Sequence, residues 1–171
     1  MPEEHRTHLT RYLEQCEKLA PQFRWTLDEK LHITVRFLGH LEQRTAEGIA
    51  DQIEEGEPRG FELKLGGRGS FKRGRLARVV WLGLSAGEGE CVELASRVEA
   101  ECVRAGLDTE GRRFHPHLTL ARARARDGAK LPDLPMPPEL AAWRAGELVL
   151  YRSHLGRGGS VYEALRTIRL R

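Results

Sequence analysis

The sequence predicts an α+β fold built mainly from antiparallel sheet. Three observations carry that reading. Amphipathic helical segments and short β-branched strands follow one another in the order α-β-α-β-β-α-β-α-β-β. The links between strands mix long crossovers with hairpin-length turns, which suits segregated helices packed on antiparallel sheet. Two similar strand segments, HITV at 32–35 and HLTL at 117–120, lie about half the chain length apart and each soon after a helix. This echo predicts a duplicated lobe.

Each element has a local cause. Residues 2–20 place Leu9, Leu13, Cys16 and Ala20 at helical spacing, with Pro2, Glu3 and Glu4 in the first turn and Pro21 as the stop. Residues 31–38 alternate apolar with polar and end at Gly39, as a strand does. There Ile33, Val35 and Phe37 are expected to fill the core. A second helix is predicted at 45–55, closed by Gly56 and Pro58, and a strand at 61–65. The stretch GGRGSFKRGRLAR reads as a glycine- and arginine-rich connection before the apolar strand VVWLGL at 79–84. Residues 87–105 form a long helix with Val92, Ala95, Val98 and Cys102 on one stripe and Gly106 as its stop. FHPHLTLAR is the next strand. A proline-rich connection follows at 124–138, of a length usually functional or mobile. A short helix at 138–143 leads into strands at 147–151 and 160–168, joined by the glycine-rich turn LGRGGS.

Composition bounds the class of molecule. With 171 residues, 40% hydrophobic and 31% charged, the chain is an ordinary globular one. No apolar run approaches the ~20 residues that span a bilayer, and the start lacks the apolar stretch of a secretory signal, so a cytoplasmic location is expected. Cys16, Cys91 and Cys102 form no C-x-x-C pair and sit in helical segments, so they read as reduced core thiols. The net charge is only +3, but basic residues crowd two segments. One holds Arg68, Lys72, Arg73, Arg75 and Arg78; the other holds Arg122, Arg124, Arg126 and Lys130. Guanidinium grips two phosphate oxygens at once, although most basic runs are only solvated loops. Asparagine is absent and arginine far exceeds lysine, a bias that a thermophilic source or a GC-rich genome would equally produce.

The residues that carry chemistry are two H-x-T strands. Residues two apart in a strand share a face. His32 therefore lies beside Thr34, and His117 beside Thr119, each pair backed by apolar neighbours. Histidine titrates near neutrality, so one imidazole can give a proton while the other takes one. A threonine hydroxyl beside each can donate to phosphoryl oxygens. Opening a cyclic phosphate needs these groups and no metal. The triplet alone is unspecific, since His5-Arg6-Thr7 and His8-Leu9-Thr10 match it too. Those two fall in the first helix, where residues two apart diverge by about 200°. A strand histidine is often a packing residue, but two matched motifs in matched settings favour catalysis.

At these residues the sequence resembles the two-histidine (2H) phosphoesterase superfamily. Within it, the chain is similar to the RNA 2′,3′-cyclic phosphodiesterases, also called 2′-5′ RNA ligases. The stretches that match are LHITVRFLG (31–39), RVVWLGL (78–84), FHPHLTLAR (114–122) and LVLYRSHLGRGGSVYEAL (148–165). The resemblance implies one domain over 1–171, a bilobal fold of two pseudo-symmetric lobes with helices outside, a central cleft and one H-x-T motif per lobe. It implies hydrolysis of RNA 2′,3′-cyclic phosphate ends to a 2′-phosphate, with reversible 2′-5′ ligation, by a monomer needing no metal, cofactor or membrane. His32 would be the proton donor and His117 the acceptor, with Thr34 and Thr119 holding the phosphate. Arg122 matches a basic position of the family, yet three positions from Thr119 it faces away in a regular strand. Arg36 shares the parity of His32. Phe71 and Tyr162 match aromatic positions suited to stacking a base, or to packing. Family members usually open with a short apolar strand, and this sequence starts in the first helix, so that strand is expected to be missing. A small cyclic-nucleotide phosphoesterase and a non-catalytic RNA-end binder are the alternatives.

Overall fold

A computed structural model describes the backbone of every residue except Arg157 and Gly158, and the side chains outside Asp28 and residues 155–160. The order is α1 (Glu3–Leu19), β1 (Phe23–Trp25), a 3₁₀ turn (Asp28–Lys30), α2 (Gln43–Glu55), β2 (Phe61–Arg73), β3 (Leu76–Ala86), α3 (Glu88–Arg104), β4 (Leu118–Ala123), β5 (Trp143–Ala145), β6 (Glu147–Gly156) and β7 (Gly159–Arg169). One sheet has five strands in the order β1-β4-β3-β2-β5, and β6 with β7 make a second. The chain is α+β, and the β1/β4, β3/β4, β2/β3 and β6/β7 pairs are all antiparallel. No helix among the described residues is long and apolar enough to cross a membrane.

The fold divides into two units. The first comprises Met1–Thr34, Leu63–Glu88 and Pro116–Trp143; the second comprises Val35–Glu62, Gly89–His115 and Arg144–Arg171. In the first, α1 lays Leu9, Leu13 and Cys16 against Phe23, Val80, Leu82, Leu118 and Leu120. In the second, Ile49 and Ile53 of α2 pack with Leu94, Val98 and Cys102 of α3 and with Ile168 of β7. All three cysteines are buried, and none is in a disulfide.

Several sequence expectations need correction. Residues 31–38 make no regular strand: within them only Ile33 forms a bridge, antiparallel to Leu118. Ile33 packs on the first core and Val35 on the second, so the segment leaves one unit for the other and cannot ladder throughout. Phe37 is 68% exposed and fills no core. The glycine-rich stretch after residue 65 is strand. β2 and β3 form one hairpin turning at Gly74–Arg75, where Gly74 has φ +60 at the first turn position, as a two-residue turn with one left-handed residue requires. Gly69 serves close approach: a Cβ there would lie 2.2 Å from the Trp81 ring. The α3 stripe runs through Cys91, Leu94, Val98 and Cys102, leaving Val92 exposed.

The helix expected at 138–143 is absent; those residues are irregular up to β5, and consecutive prolines at 137 and 138 withhold two backbone donors. The 124–138 connection is anchored. Arg68 donates to Pro135 O (2.6 Å) and to the Tyr12 hydroxyl (2.9 Å), and Ala129 bridges Ala77. Arg68 therefore holds structure, and Arg73 pairs with Asp127, so that basic cluster is partly committed internally. The short strand β1 escaped the sequence reading. Of the turn expected at residues 155–160, Arg157 and Gly158 lie outside the described residues.

Candidate active site

Both H-x-T motifs belong to the first unit. The Ile33–Leu118 bridge explains why, because it joins the two motifs directly. In antiparallel register the flanking residues face each other: His32 stands opposite Thr119, and Thr34 opposite His117. Directly opposed residues have Cβ atoms about 4.5–5.5 Å apart. Ile33 and Leu118 turn to the core, Leu118 being 1% exposed. All four motif side chains therefore take the other face, where each is half-buried. Two histidines and two threonines form one quartet on a rigid floor.

The His32 ring is oriented from behind. Its Nδ1 lies 2.7 Å from Lys30 O at the end of the 3₁₀ turn, and a carbonyl can only accept, so Nδ1 carries the proton. With Nδ1 so committed, Nε2 is the candidate atom for proton transfer. Burial holds His32 below the ordinary 6.5; the Lys30 carbonyl opposes that shift, and the positive charge of Arg122 adds to it. Resting His32 is thus a neutral imidazole beside a guanidinium.

His117 sits among aromatic rings. Phe71 meets it edge-on with centroids 4.9 Å apart, and the Trp81 ring lies 6.1 Å away. Phe71 and Trp81 contact each other at 5.3 Å. Trp81 is the register partner of both Thr119 and Gly69, which sets all of these on the quartet's face. Trp81 was missed in the sequence because it stands in a nearly continuous apolar strand.

Arg122 shares that face, against simple strand parity. The β3–β4 register pairs Val80 with Ala121 and Trp81 with Thr119, leaving Leu120 as the extra residue of a β-bulge. Leu118, Leu120 and Ala121 are all buried, while Thr119 is half-buried and Arg122 exposed. The partners of Thr119 and Arg122 are Trp81 and Val79, two residues apart and hence on one face. Thr26 braces the bulge: its N–H donates to Leu120 O (2.8 Å) and its hydroxyl to Thr119 O (3.1 Å). The only sequence trace of this slip is the apolar doublet Leu120-Ala121.

Two other expected residues have different surroundings. Arg36 lies in the second unit, where its guanidinium pairs with Glu99 (2.8 Å) and Glu110 (3.0 Å) and donates to Asp108 O. It joins α3 to the following loop, and its charge is already neutralised by two acids. Tyr162 also lies in the second unit, opposite Ser153 and in edge contact with Tyr151 at 5.8 Å. Among the described residues no group of three or more His, Cys, Asp or Glu is placed to hold a metal ion.

The family model for the 2′-5′ RNA ligase superfamily matches residues 2–157. The chain belongs to that superfamily. Among its relatives in the 2′-5′ RNA ligase superfamily is the RNA 2′,3′-cyclic phosphodiesterase of Aeropyrum pernix, 33% identical over 83% of this chain and 83% of that one. The enzyme of the same name from Methanothermobacter thermautotrophicus is 31% identical over 96% and 92%. The crystal structure of E. coli LigT complexed with 3′-AMP matches with a TM-score of 0.84 and 26% identity, over 99% of this chain and 93% of that one.

Proposed function

We propose that this superfamily member is an RNA 2′,3′-cyclic phosphodiesterase that opens the ring by two-histidine acid–base catalysis. The observation that carries the reading is the quartet, two imidazoles and two hydroxyls brought to one face by a single bridge. Relatives with that activity in their names, 27–33% identical to this chain, support it, and the solved E. coli relative has been crystallised with phosphate as well as 3′-AMP.

On this reading a water molecule attacks phosphorus as His117 takes its proton. The bond from phosphorus to O3′ breaks, and His32 delivers the proton on Nε2 to that oxygen, leaving a 2′-phosphate. Thr34 and Thr119 donate to the non-bridging oxygens, and Arg122 balances their charge. Phe71 and Trp81 flank His117 and offer a base a surface to stack on. A 5′-hydroxyl in place of water would give a 2′-5′ linkage by the same proton moves. Every group named comes from one unit of one chain, so the reaction as drawn needs no second subunit; the reading is of a monomer that acts in the cytoplasm without metal or nucleotide cofactor. A non-catalytic RNA-end binder would be marked by loss of a motif residue, and all four are present.

The test is the rate of ring opening on an RNA oligomer ending in a 2′,3′-cyclic phosphate. His32→Ala and His117→Ala should each lose roughly 10²–10⁴. Full activity in either variant refutes the mechanism.

A further inference from the structure

Two arginines stand side by side on the quartet's face. Arg24 of β1 is the register partner of Arg122 of β4. Its neighbours Phe23 and Trp25 are buried in the core, so Arg24 projects to the opposite side, and both arginines are exposed. Like charges directly opposed in an antiparallel pair repel. Elsewhere Arg36, Arg73, Arg152, Arg166 and Arg171 each meet a carboxylate. Among the described residues Arg24 and Arg122 meet none. A repelling pair without acids, next to a phosphate-binding quartet, is arranged for a ligand with more than one negative charge.

We propose that Arg24 is a substrate-binding residue that takes the phosphodiester one nucleotide upstream of the terminal cyclic phosphate, while Arg122 attends the cyclic phosphate itself. The inference rests on the phosphodiesterase reading and adds to it a contact with the RNA chain upstream of the reacting end. The geometry supports this order. Arg122 is close enough to depress His32, which ties it to the reacting phosphate. Arg24 lies one strand further along the sheet, since β1 is its edge. Neighbouring strands are about 4.8 Å apart, a step of the same order as that between successive phosphates of a nucleic-acid strand. The contact is electrostatic and indifferent to base identity.

The experiment compares a trinucleotide ending in a 2′,3′-cyclic phosphate with 2′,3′-cyclic AMP, which has no upstream phosphate. Arg24→Gln should lower kcat/KM on the trinucleotide about tenfold more than on the mononucleotide, mainly through KM. The dependence of log(1/KM) on log salt for the trinucleotide should become shallower by about 0.7, the share of one single-strand phosphate contact. Arg24→Lys, which keeps the charge, should retain that salt slope. Equal losses on the two substrates, or an unchanged salt slope in Arg24→Gln, would overturn the assignment. Wild-type protein inert on both substrates would instead sink the phosphodiesterase reading.

Discussion

His32 holds its Nδ1 proton against Lys30 O and rests neutral, yet its proposed task is to give a proton. An anionic cyclic phosphate reconciles the two, because a negative charge beside the imidazole favours the imidazolium. A pH consequence follows. The alkaline limb of kcat/KM reports the free enzyme and should fall below the ordinary 6.5 of histidine, while that of kcat reports the complex and should sit higher. Removing the Arg122 charge by Arg122→Ala should raise the kcat/KM limb, since that charge is one cause of the depression. Coincident limbs, or a limb that Arg122→Ala leaves in place, would contradict this account of His32. Stability carries the same sign. Below 6.5 the unfolded chain takes up a proton that folded His32 resists, so this group lowers stability as pH falls through that window.

At the scale of the strand, the bulge at Leu120 decides what the second motif can do. Without it Arg122 would point toward the core, on the side of Leu118. Thr26 braces it with two donated hydrogen bonds. Thr26→Val keeps the shape and removes the hydroxyl; it should lower stability by about 1 kcal/mol and raise KM for a cyclic-phosphate oligomer several-fold. In an Arg122→Ala background the KM effect should largely vanish, because contacts that act through one another are not additive. Additive losses would show Thr26 to be structural only. Periodicity made the quartet readable, since H-x-T beside alternating apolar residues fixes a shared face. It failed at the bulge, where one inserted residue reverses parity, and along residues 66–78, where the glycines, Gly69 against the Trp81 ring among them, resemble a loop. β1 has only three residues, Phe23–Trp25, too few for any period to show.

Across the whole chain, the α+β class and most element positions followed from the sequence, but the grouping into units did not. The repeated motif suggested a duplicated lobe; pairing across Ile33 and Leu118 sets both motifs in one unit. Such pairing depends on tertiary contact between segments far apart in sequence, to which local pattern is blind. The first core then bears directly on the site, because Leu82 and Leu118 are register partners beneath it, each 1% exposed. Leu82→Ala should destabilise the protein by about 2–5 kcal/mol, read as a lower denaturant midpoint; a midpoint within error of wild type would mean that this layer is not the support described. The central claim is that one quartet directs water at phosphorus and the proton at O3′. Phosphorus NMR of an RNA end after incubation of a 2′,3′-cyclic phosphate oligomer with the protein and EDTA tests it most directly. A 2′-phosphomonoester is the predicted product; a 3′-phosphomonoester, or a cyclic phosphate left intact by the chelator, would contradict it.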